Sequence, residues 1–191
     1  MEKELKDQIK KDVEMRLPAF PVIGKFPPKG FKWKKYQDEL PTEAEIEEWD
    51  AKYTNITGIA VALGKISGMM AIDCDIKNPE KTVDPEIVKR LKSEDYPETL
   101  TGSLGSQFIV EYDPSLGFTS NANVLTGVDI KAHGGYIILP PSTALYAETE
   151  YQKYNGNKYA WVREYVKEEK LKPFPPWLLE LIKNKNQGQK I

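Results

Sequence analysis

The chain has 191 residues, of which 40% are hydrophobic and 29% charged, so it can bury the core of one domain or two small subdomains and is not disordered. Its one cysteine and one histidine exclude an intrachain disulfide framework, a zinc finger and a multi-histidine metal site. We therefore expect no zinc, and a lone cysteine in an apolar run favours a reducing, cytoplasmic location. No stretch approaches the roughly 20 apolar residues of a membrane helix, and the N-terminus lacks the apolar region of a signal peptide.

The net charge of −2 conceals an uneven distribution. Residues 51–150 carry 8 basic and 13 acidic groups, whereas residues 151–191 carry 9 and 4. Residues 24–36 form a local exception with five lysines, four aromatics and no acid. Lysines suit phosphates and aromatic faces suit bases, so this segment is a candidate template-binding surface, carried by Lys25, Lys29, Lys32, Trp33 and Lys34. A surface loop whose aromatics pack on the core explains the same composition equally well.

Apolar residues recur every fourth position over residues 2–16 and predict an amphipathic helix. Thr42 and Glu45 form the capping-box pattern of a second helix, which runs to about Tyr53. Two further helices are predicted, over residues 85–93 and 175–184. Alternation and composition predict strands over residues 19–23 (a short edge strand), 55–62, 69–76, 107–112, 127–131 and 136–139, while 159–166 fits a strand or a helix. This order predicts an α+β fold with helices packed against a sheet.

The sharpest feature is the acidic pair Asp73 and Asp75 on the strand predicted for 69–76. Because side chains alternate along a strand, the two carboxylates would share one face, about 6–7 Å apart at Cα, while Ile72, Cys74 and Ile76 would enter the core. Such a pair can hold hard divalent cations. Two acids on the exposed face of an amphipathic strand give the same pattern.

Asp129 and Lys131 lie in a similar setting, on the face of their strand opposite two apolar residues. If that strand neighbours the first, three carboxylates and a lysine converge, which is the minimum for two-metal phosphoryl transfer. The segment TGSLGSQ at 101–107 enters a strand through a Gly/Ser-rich turn, whose backbone N–H groups could cradle phosphates. Such a segment can equally be an ordinary turn.

These pieces, in this order, resemble the primase-polymerase (prim-pol) domain of the archaeo-eukaryotic primase superfamily, in the phage and plasmid replication type. The segments that carry the likeness are KFPPKGFKW, NITGIAVALGKISGMMAIDCD, TGSLGSQFIVEYD and GVDIKAHGGYIILPPS, between about Ala19 and Trp161. The resemblance implies an RRM-like, antiparallel-rich sheet with flanking helices and an added small α/β unit. It also implies a helix over 1–18, a catalytic domain of two packed subdomains over 19–166, and a basic C-terminal helix and tail, a possible truncation point, over 167–191.

Site roles follow from the resemblance residue by residue. Asp73, Asp75 and Asp129 match the catalytic acids that hold two Mg²⁺ or Mn²⁺ ions. The nucleotide-binding positions are Ser103, Gly105, Ser106, Gln107 and Lys131. Implied partners are nucleoside triphosphates and a single-stranded DNA template and primer, without a membrane. Because members of this family often continue into helicase regions, a helicase domain or protein is a candidate partner.

One position departs from the family pattern. Gln107 stands where the family has a histidine thought to contact the nucleotide's phosphates; glutamine can donate a hydrogen bond but cannot become cationic. Gln107 is thus a working variant, a deliberate substitution or a sign of weakened nucleotide binding. The predicted function is DNA primase and DNA polymerase activity, a nucleotidyl transfer. The alternatives are a weakened nucleotide- or DNA-binding module of the same fold and, less well supported, a metal-dependent nuclease.

Overall fold

The computed structural model describes residues 1–188, so the last three residues of the predicted tail, 189–191, lie outside the described residues. The four predicted helices are confirmed, and their bounds are α1 Lys3–Glu14, α2 Glu43–Lys52, α3 Pro85–Ser93 and α4 Pro176–Gly188. The capping box is present: the Glu45 amide donates to Thr42 Oγ1 (3.3 Å) and the Thr42 amide donates to Glu45 Oε2 (2.8 Å). This reciprocal pair satisfies two amides that an uncapped helix start leaves free.

The strands form two antiparallel sheets. Their bounds are β1 Ala19–Val22, β2 Gly58–Ala62, β3 Met69–Cys74, β4 Glu98–Leu100, β5 Ser106–Glu111, β6 Asn121–Leu125, β7 Val128–Lys131, β8 Tyr136–Leu139 and β9 Ala160–Arg163. The first sheet has the order β1-β2-β8 and the second has the order β6-β7-β3-β5-β4-β9. The predicted edge position of β1 is confirmed, and an edge strand tolerates its Pro21. The segment at 159–166 contains a strand, and the sequence patterns missed β4 and β6.

Side-chain alternation along β3 divides the apolar core into two clusters. Met69 and Ala71 pack in one cluster with the three-stranded sheet, α1 and α2. Met70, Ile72 and Cys74 pack in the other cluster with side chains from α3 and α4. The six-stranded sheet therefore carries the three-stranded sheet on one face and two helices on the other. This is an α+β fold, as predicted.

The end of β3 differs from the prediction. The strand stops at Cys74, and Asp75 continues the hydrogen bonding only by donating its amide to the Gly127 carbonyl (2.8 Å). Beyond this point the chain leaves the sheet, so Ile76 is 44% exposed rather than buried in the core. The prediction of a strand through residue 76 with Ile76 in the core was therefore wrong.

Within residues 1–188, no helix is both long and apolar enough to cross a lipid bilayer.

Candidate active site

Strand register brings two of the three predicted acidic residues, Asp73 and Asp129, into one polar row, whereas Asp75 lies beyond the end of β3. Asp73 on β3 lies directly opposite Asp129 on β7 and, on its other side, opposite Gln107 on β5. Gln107 in turn lies opposite Thr99 on β4. Directly opposed residues in antiparallel strands share a face and have Cα atoms about 4.5–5.5 Å apart. The condition set by the sequence, that the β7 strand neighbours β3, is therefore met.

Two members of this polar row, Asp73 and Gln107, line a pocket of about 310 Å³ between the two sheets, whereas Asp129 lines a neighbouring cavity together with Asp75 and Lys77. Asp73, Gln107 and Lys131 line the pocket from the six-stranded sheet, and Tyr136 and Ile137 line it from β8 of the other sheet. The same face of β3 is apolar at Met69 and Ala71, where the two sheets pack together. The face becomes polar at Asp73, where the sheets no longer seal it. A cleft of this volume suits a small-molecule ligand.

Asp73 is the least compensated carboxylate of the row. Burial raises the pKa of its carboxyl to about 6; the nearby carboxylates of Asp75 and Asp129 act in the same direction, and Lys131 and Lys25 oppose them. Within residues 1–188 its side chain accepts no hydrogen bond and forms no ion pair. A half-buried carboxylate with acidic neighbours and no donor is a favourable place for a cation.

The other two carboxylates are each held by a lysine and a backbone amide. Asp75 pairs with Lys77 Nζ (2.7 Å) and accepts from the Lys77 amide (2.9 Å). Asp129 pairs with Lys131 Nζ (3.0 Å) and accepts from the Asn123 amide (2.7 Å). These contacts hold both side chains in the neighbouring cavity, and Asp75 also lines the pocket. They also place two ammonium groups beside the carboxylates, where phosphate oxygens can reach them.

The Gly/Ser-rich turn uses much of its hydrogen-bonding capacity internally. The amides of Thr101, Leu104 and Gly105 all bond within the turn, which leaves them unable to cradle phosphates. Gly105 has a packing role, because a Cβ there would lie 2.5 Å from the Cys74 carbonyl oxygen. Ser103 is buried and lines the pocket, where its hydroxyl pairs with that of Thr101 (3.3 Å).

Ser106 does not belong to the pocket, contrary to the prediction. It lies opposite Cys74, whose side chain packs in the helix-covered cluster. Its hydroxyl donates to Glu98 Oε1 (2.8 Å), and Glu98 pairs with Lys92 of α3 (3.1 Å). Because one residue along a strand changes the face, Ser106 supports the core while Gln107 faces the site.

Gln107 lies in the middle of the row and is 6% exposed. Its Oε1 accepts from the Thr99 hydroxyl (3.3 Å), and its Nε2 donates to no atom of residues 1–188. The side chain lines the pocket, so the amide can donate to an anionic ligand there. His133, by contrast, is exposed before the Gly134–Gly135 turn, and Cys74 is buried, which raises the pKa of its thiol.

The aromatic residues and the lysines of the basic segment 24–36 have different environments, so each of the two alternatives left open by its composition describes part of the segment. Trp33 stacks on Phe20 (5.8 Å between ring centroids) and meets Tyr136 edge-on (4.9 Å), so it packs on the core. The aromatic-loop alternative therefore describes Trp33 and its aromatic neighbours, Phe31 and Tyr36. Four lysines of this segment are exposed; Lys35 pairs with acids of its own neighbourhood, and the others are Lys29, Lys32 and Lys34.

Lys25 has a different environment from the other lysines of its segment. It is half-buried and lines the pocket together with Asp73 and Asp75. Sequence reasoning also missed Lys77 and Thr99, which contact Asp75 and Gln107. Lys77 follows the Asp-x-Asp pattern by two residues, and this spacing was the only available signal. Thr99 lies on a three-residue strand that no pattern marked.

The residues at this site fit a hard divalent cation by their chemistry, since their ligand atoms are carboxylate oxygens and Asp73 lacks any other partner. Among residues 1–188, however, no group of three or more His, Cys, Asp or Glu side chains is gathered tightly enough to hold a metal ion. Asp75 and Asp129 each form an ion pair with a lysine instead.

Comparison with protein families gives one match. The model of the Prim-Pol family, described as the N-terminal domain of bifunctional DNA primase/polymerase, covers residues 12–177. No curated protein matches the chain significantly. The matched range includes both sheets and every residue of the polar row, and it extends the predicted resemblance at both ends. The chain therefore belongs to the Prim-Pol family and carries a DNA primase/polymerase domain with an α+β prim-pol fold.

Proposed function

We propose that this domain catalyses template-directed nucleotidyl transfer in phage or plasmid replication, adding nucleotides to a primer or to a first nucleotide. The observation that carries the proposal is the row Asp129–Asp73–Gln107–Thr99, set by register, in which Asp73 and Gln107 line the cleft between the sheets. Family membership supports the primase/polymerase part of the proposal. The sequence pattern supports the phage or plasmid context.

Asp73, Asp75 and Asp129 would hold Mg²⁺ or Mn²⁺, two ions in the proposed mechanism. When bound, such ions lower the pKa of the attacking hydroxyl and neutralise charge on the triphosphate and the leaving pyrophosphate. Carboxylates held this close repel one another, and the raised pKa of Asp73 is a measure of that repulsion and of burial. A bound cation would offset both the repulsion between the carboxylates and the cost of burying their charge.

The other residues of the pocket would bind and orient the nucleotide. Lys131 and the free Nε2 of Gln107 line the pocket on either side of Asp73 and are placed to donate to phosphate oxygens. Ser103 contributes a hydroxyl from the adjoining turn. Thr99 keeps Gln107 oriented by donating to its Oε1. The exposed lysines at 29, 32 and 34 are candidates for contacts with the template.

The test is nucleotide incorporation on single-stranded DNA with Mn²⁺ or Mg²⁺, with and without a primer. Product in both reactions is the expected result, and product only with a primer would indicate extension without initiation. The Asp73→Ala/Asp75→Ala double variant should abolish incorporation while retaining the fold by circular dichroism. Incorporation retained by that variant would overturn the assignment of the carboxylates.

A second candidate is a binding module that has lost catalysis, and Gln107 is the observation that favours it. A neutral amide replaces the family's imidazole at the middle of the row. Nucleotide binding without incorporation under every metal and primer condition would support the module.

A further inference from the structure

The pocket contains a cation that the proposed chemistry has not used. Lys25 lies on a turn that three hydrogen bonds stabilise. The Ile23 amide donates to the Phe26 carbonyl (2.8 Å), the Tyr136 hydroxyl donates to the Lys25 carbonyl (2.9 Å), and the Gly24 amide donates to Thr57 Oγ1 (2.7 Å). The position of the Lys25 backbone relative to β8 and the pocket is therefore fixed.

The turn depends on a glycine directly before Lys25. Gly24 has φ of +61°, and a Cβ there would lie 2.3 Å from the Leu145 carbonyl oxygen. Any other residue would be strained and would clash with backbone. The sequence thus maintains a tight turn at the place where it brings a lysine to the pocket.

The Lys25 ammonium group forms no ion pair within residues 1–188, although the charges of Asp73 and Asp75 act on it from a distance. It lies over the ring of Tyr146, 4.8 Å from the centroid, and beside Lys77. Lys77 and Lys131, the other lysines of this pocket, are each paired with a carboxylate. Burial lowers the pKa of Lys25 and the charge of Lys77 acts in the same direction, while Asp73 and Asp75 oppose the shift without reversing it. A half-buried cation beside a like charge is unfavourable unless an anion joins it.

The size and walls of the pocket restrict that anion. The cleft of about 310 Å³ holds Asp73 and Asp75 as well as Lys25, so the anion lies within reach of the catalytic carboxylates. A nucleotide polyphosphate fits such a space, whereas a nucleic-acid backbone would track across an open groove. The exposed lysines further along the segment are the ones placed for such a backbone.

We propose that Lys25, with Lys77 beside it, forms an anion subsite for the triphosphate of the incoming nucleotide, across the pocket from the carboxylate row. This assignment rests on the proposed function and replaces the sequence-based expectation that Lys25 contacts the template. Lys77 exchanges its contact with Asp75 for a phosphate oxygen when nucleotide and cation are bound. Lys25 contributes a positive charge that forms no ion pair before the nucleotide binds.

The experiment is calorimetric titration of dATP and dAMP into the full chain, with and without Mg²⁺. Lys25→Met keeps an unbranched side chain of similar size and removes the charge that lies over Tyr146. We expect its affinity for dATP to fall about tenfold or more, with dAMP affinity nearly unchanged, because the lost contacts are to the outer phosphates. Lys25→Arg should recover most of the dATP affinity. Lys89→Met, which removes one exposed charge on α3, is the matched control and should bind dATP as the parent does.

Wild-type affinity of Lys25→Met for dATP would overturn the inference, as would an equal loss for dATP and dAMP or a loss confined to single-stranded DNA. If Lys25→Met melts at a much lower temperature, Lys77→Met provides the second test of the same subsite, with the same expected dATP-specific loss. Binding and synthesis distinguish the two proposals. Lys25-dependent dATP binding without incorporation would contradict only the proposed function, whereas incorporation with an unchanged KM in Lys25→Met would contradict only the subsite.

Discussion

The two faces of the six-stranded sheet show how one strand can serve both stability and function. On the helix-covered face, Ile72 and Cys74 are completely buried, and the apolar surface continues to the end of β3. On the opposite face, Met69 and Ala71 are equally buried, but the next residue in the alternation is Asp73. The difference lies in what covers each face: helices seal the first throughout, while the three-stranded sheet leaves the end of the second as a pocket. Substitutions one residue apart should therefore have opposite consequences.

The largest effect is expected for Asp73→Asn. This change removes the carboxylate at the middle of the row and should reduce nucleotide incorporation by about 10²–10³-fold. Because it also removes a half-buried charge with a raised pKa, the melting temperature should stay the same or rise. Primer extension and thermal denaturation on the same preparation measure both. A variant that loses activity together with its fold would contradict the separation of roles.

The neighbouring change, Ile72→Ala, should act in the reverse way. The side chain is fully buried against helices, so its truncation should lower the free energy of unfolding by about 2–4 kcal/mol. The rate of incorporation per folded molecule should change less than twofold below the melting transition. Denaturant titration gives the first quantity and activity at low temperature gives the second. Loss of activity in the folded variant would show that the two faces are coupled.

Asp12, away from the pocket, is a second buried carboxylate with a raised pKa, and it can be compared with Asp73. Asp12 on α1 accepts from Gln8 Nε2 (2.7 Å), but its Oδ2 is buried without a partner among residues 1–188. Burial raises the pKa of Asp12 to about 7, with Glu164 adding to the shift and Gln8 opposing it. Asp12→Asn should therefore raise the free energy of unfolding by about 1–3 kcal/mol at pH 8.

The stability gained by Asp12→Asn should increase with pH. Between about pH 4 and 7 the unfolded carboxyl ionises while the folded one remains protonated, so the parent loses stability as the pH rises. The advantage of Asp12→Asn should be small at pH 4.5 and complete by pH 8. Melting temperatures of both proteins across this range are the measurement. An advantage that is independent of pH would mean that Asp12 is not a strained carboxylate.

The smallest effect is expected for Gln107→His, within the polar row itself. An imidazole can become cationic where the amide cannot, so dNTP affinity should rise about two- to tenfold. The gain should be greater at pH 6 than at pH 8, because only the protonated ring adds charge. Titration of a fluorescent nucleotide at the two pH values measures it. Unchanged affinity at both would contradict a phosphate-facing role for position 107.

Much of this architecture follows from local patterns. The helices over 3–14, 43–52 and 85–93 carry periodicity, a capping box or a proline start in their own residues. The pairing of β3 with β7 was only a condition in the sequence analysis, and the register meets it. The alternation of residues identified Asp73 and Asp129 and the family resemblance identified Gln107, and the register then placed all three in one row.

The errors arose where long-range structure decides the outcome. Ile76 continues the alternation of β3, but the strand ends before it because the chain turns away after Asp75 meets Gly127. Ser106 and Gln107 are adjacent in a Gly/Ser-rich motif, and only the register shows that they face opposite layers. The lysines at 25 and 29 look equivalent by composition. The contact between Tyr136 and the Lys25 carbonyl, 111 residues apart, separates them, and no local pattern encodes it.

The placement of the site between two sheets also determines how its width can change. The carboxylate row belongs to the six-stranded sheet, whereas Lys25 is tied through Tyr136 to the three-stranded one. In the proposed subsite, the gap that a triphosphate would bridge is set by the side chains between the sheets, including Met69, Ala71 and Ile109. We expect changes in the volume of these apolar residues to alter nucleotide affinity, although none of them needs to touch the nucleotide. Differences in catalytic efficiency among related domains can thus originate in their cores.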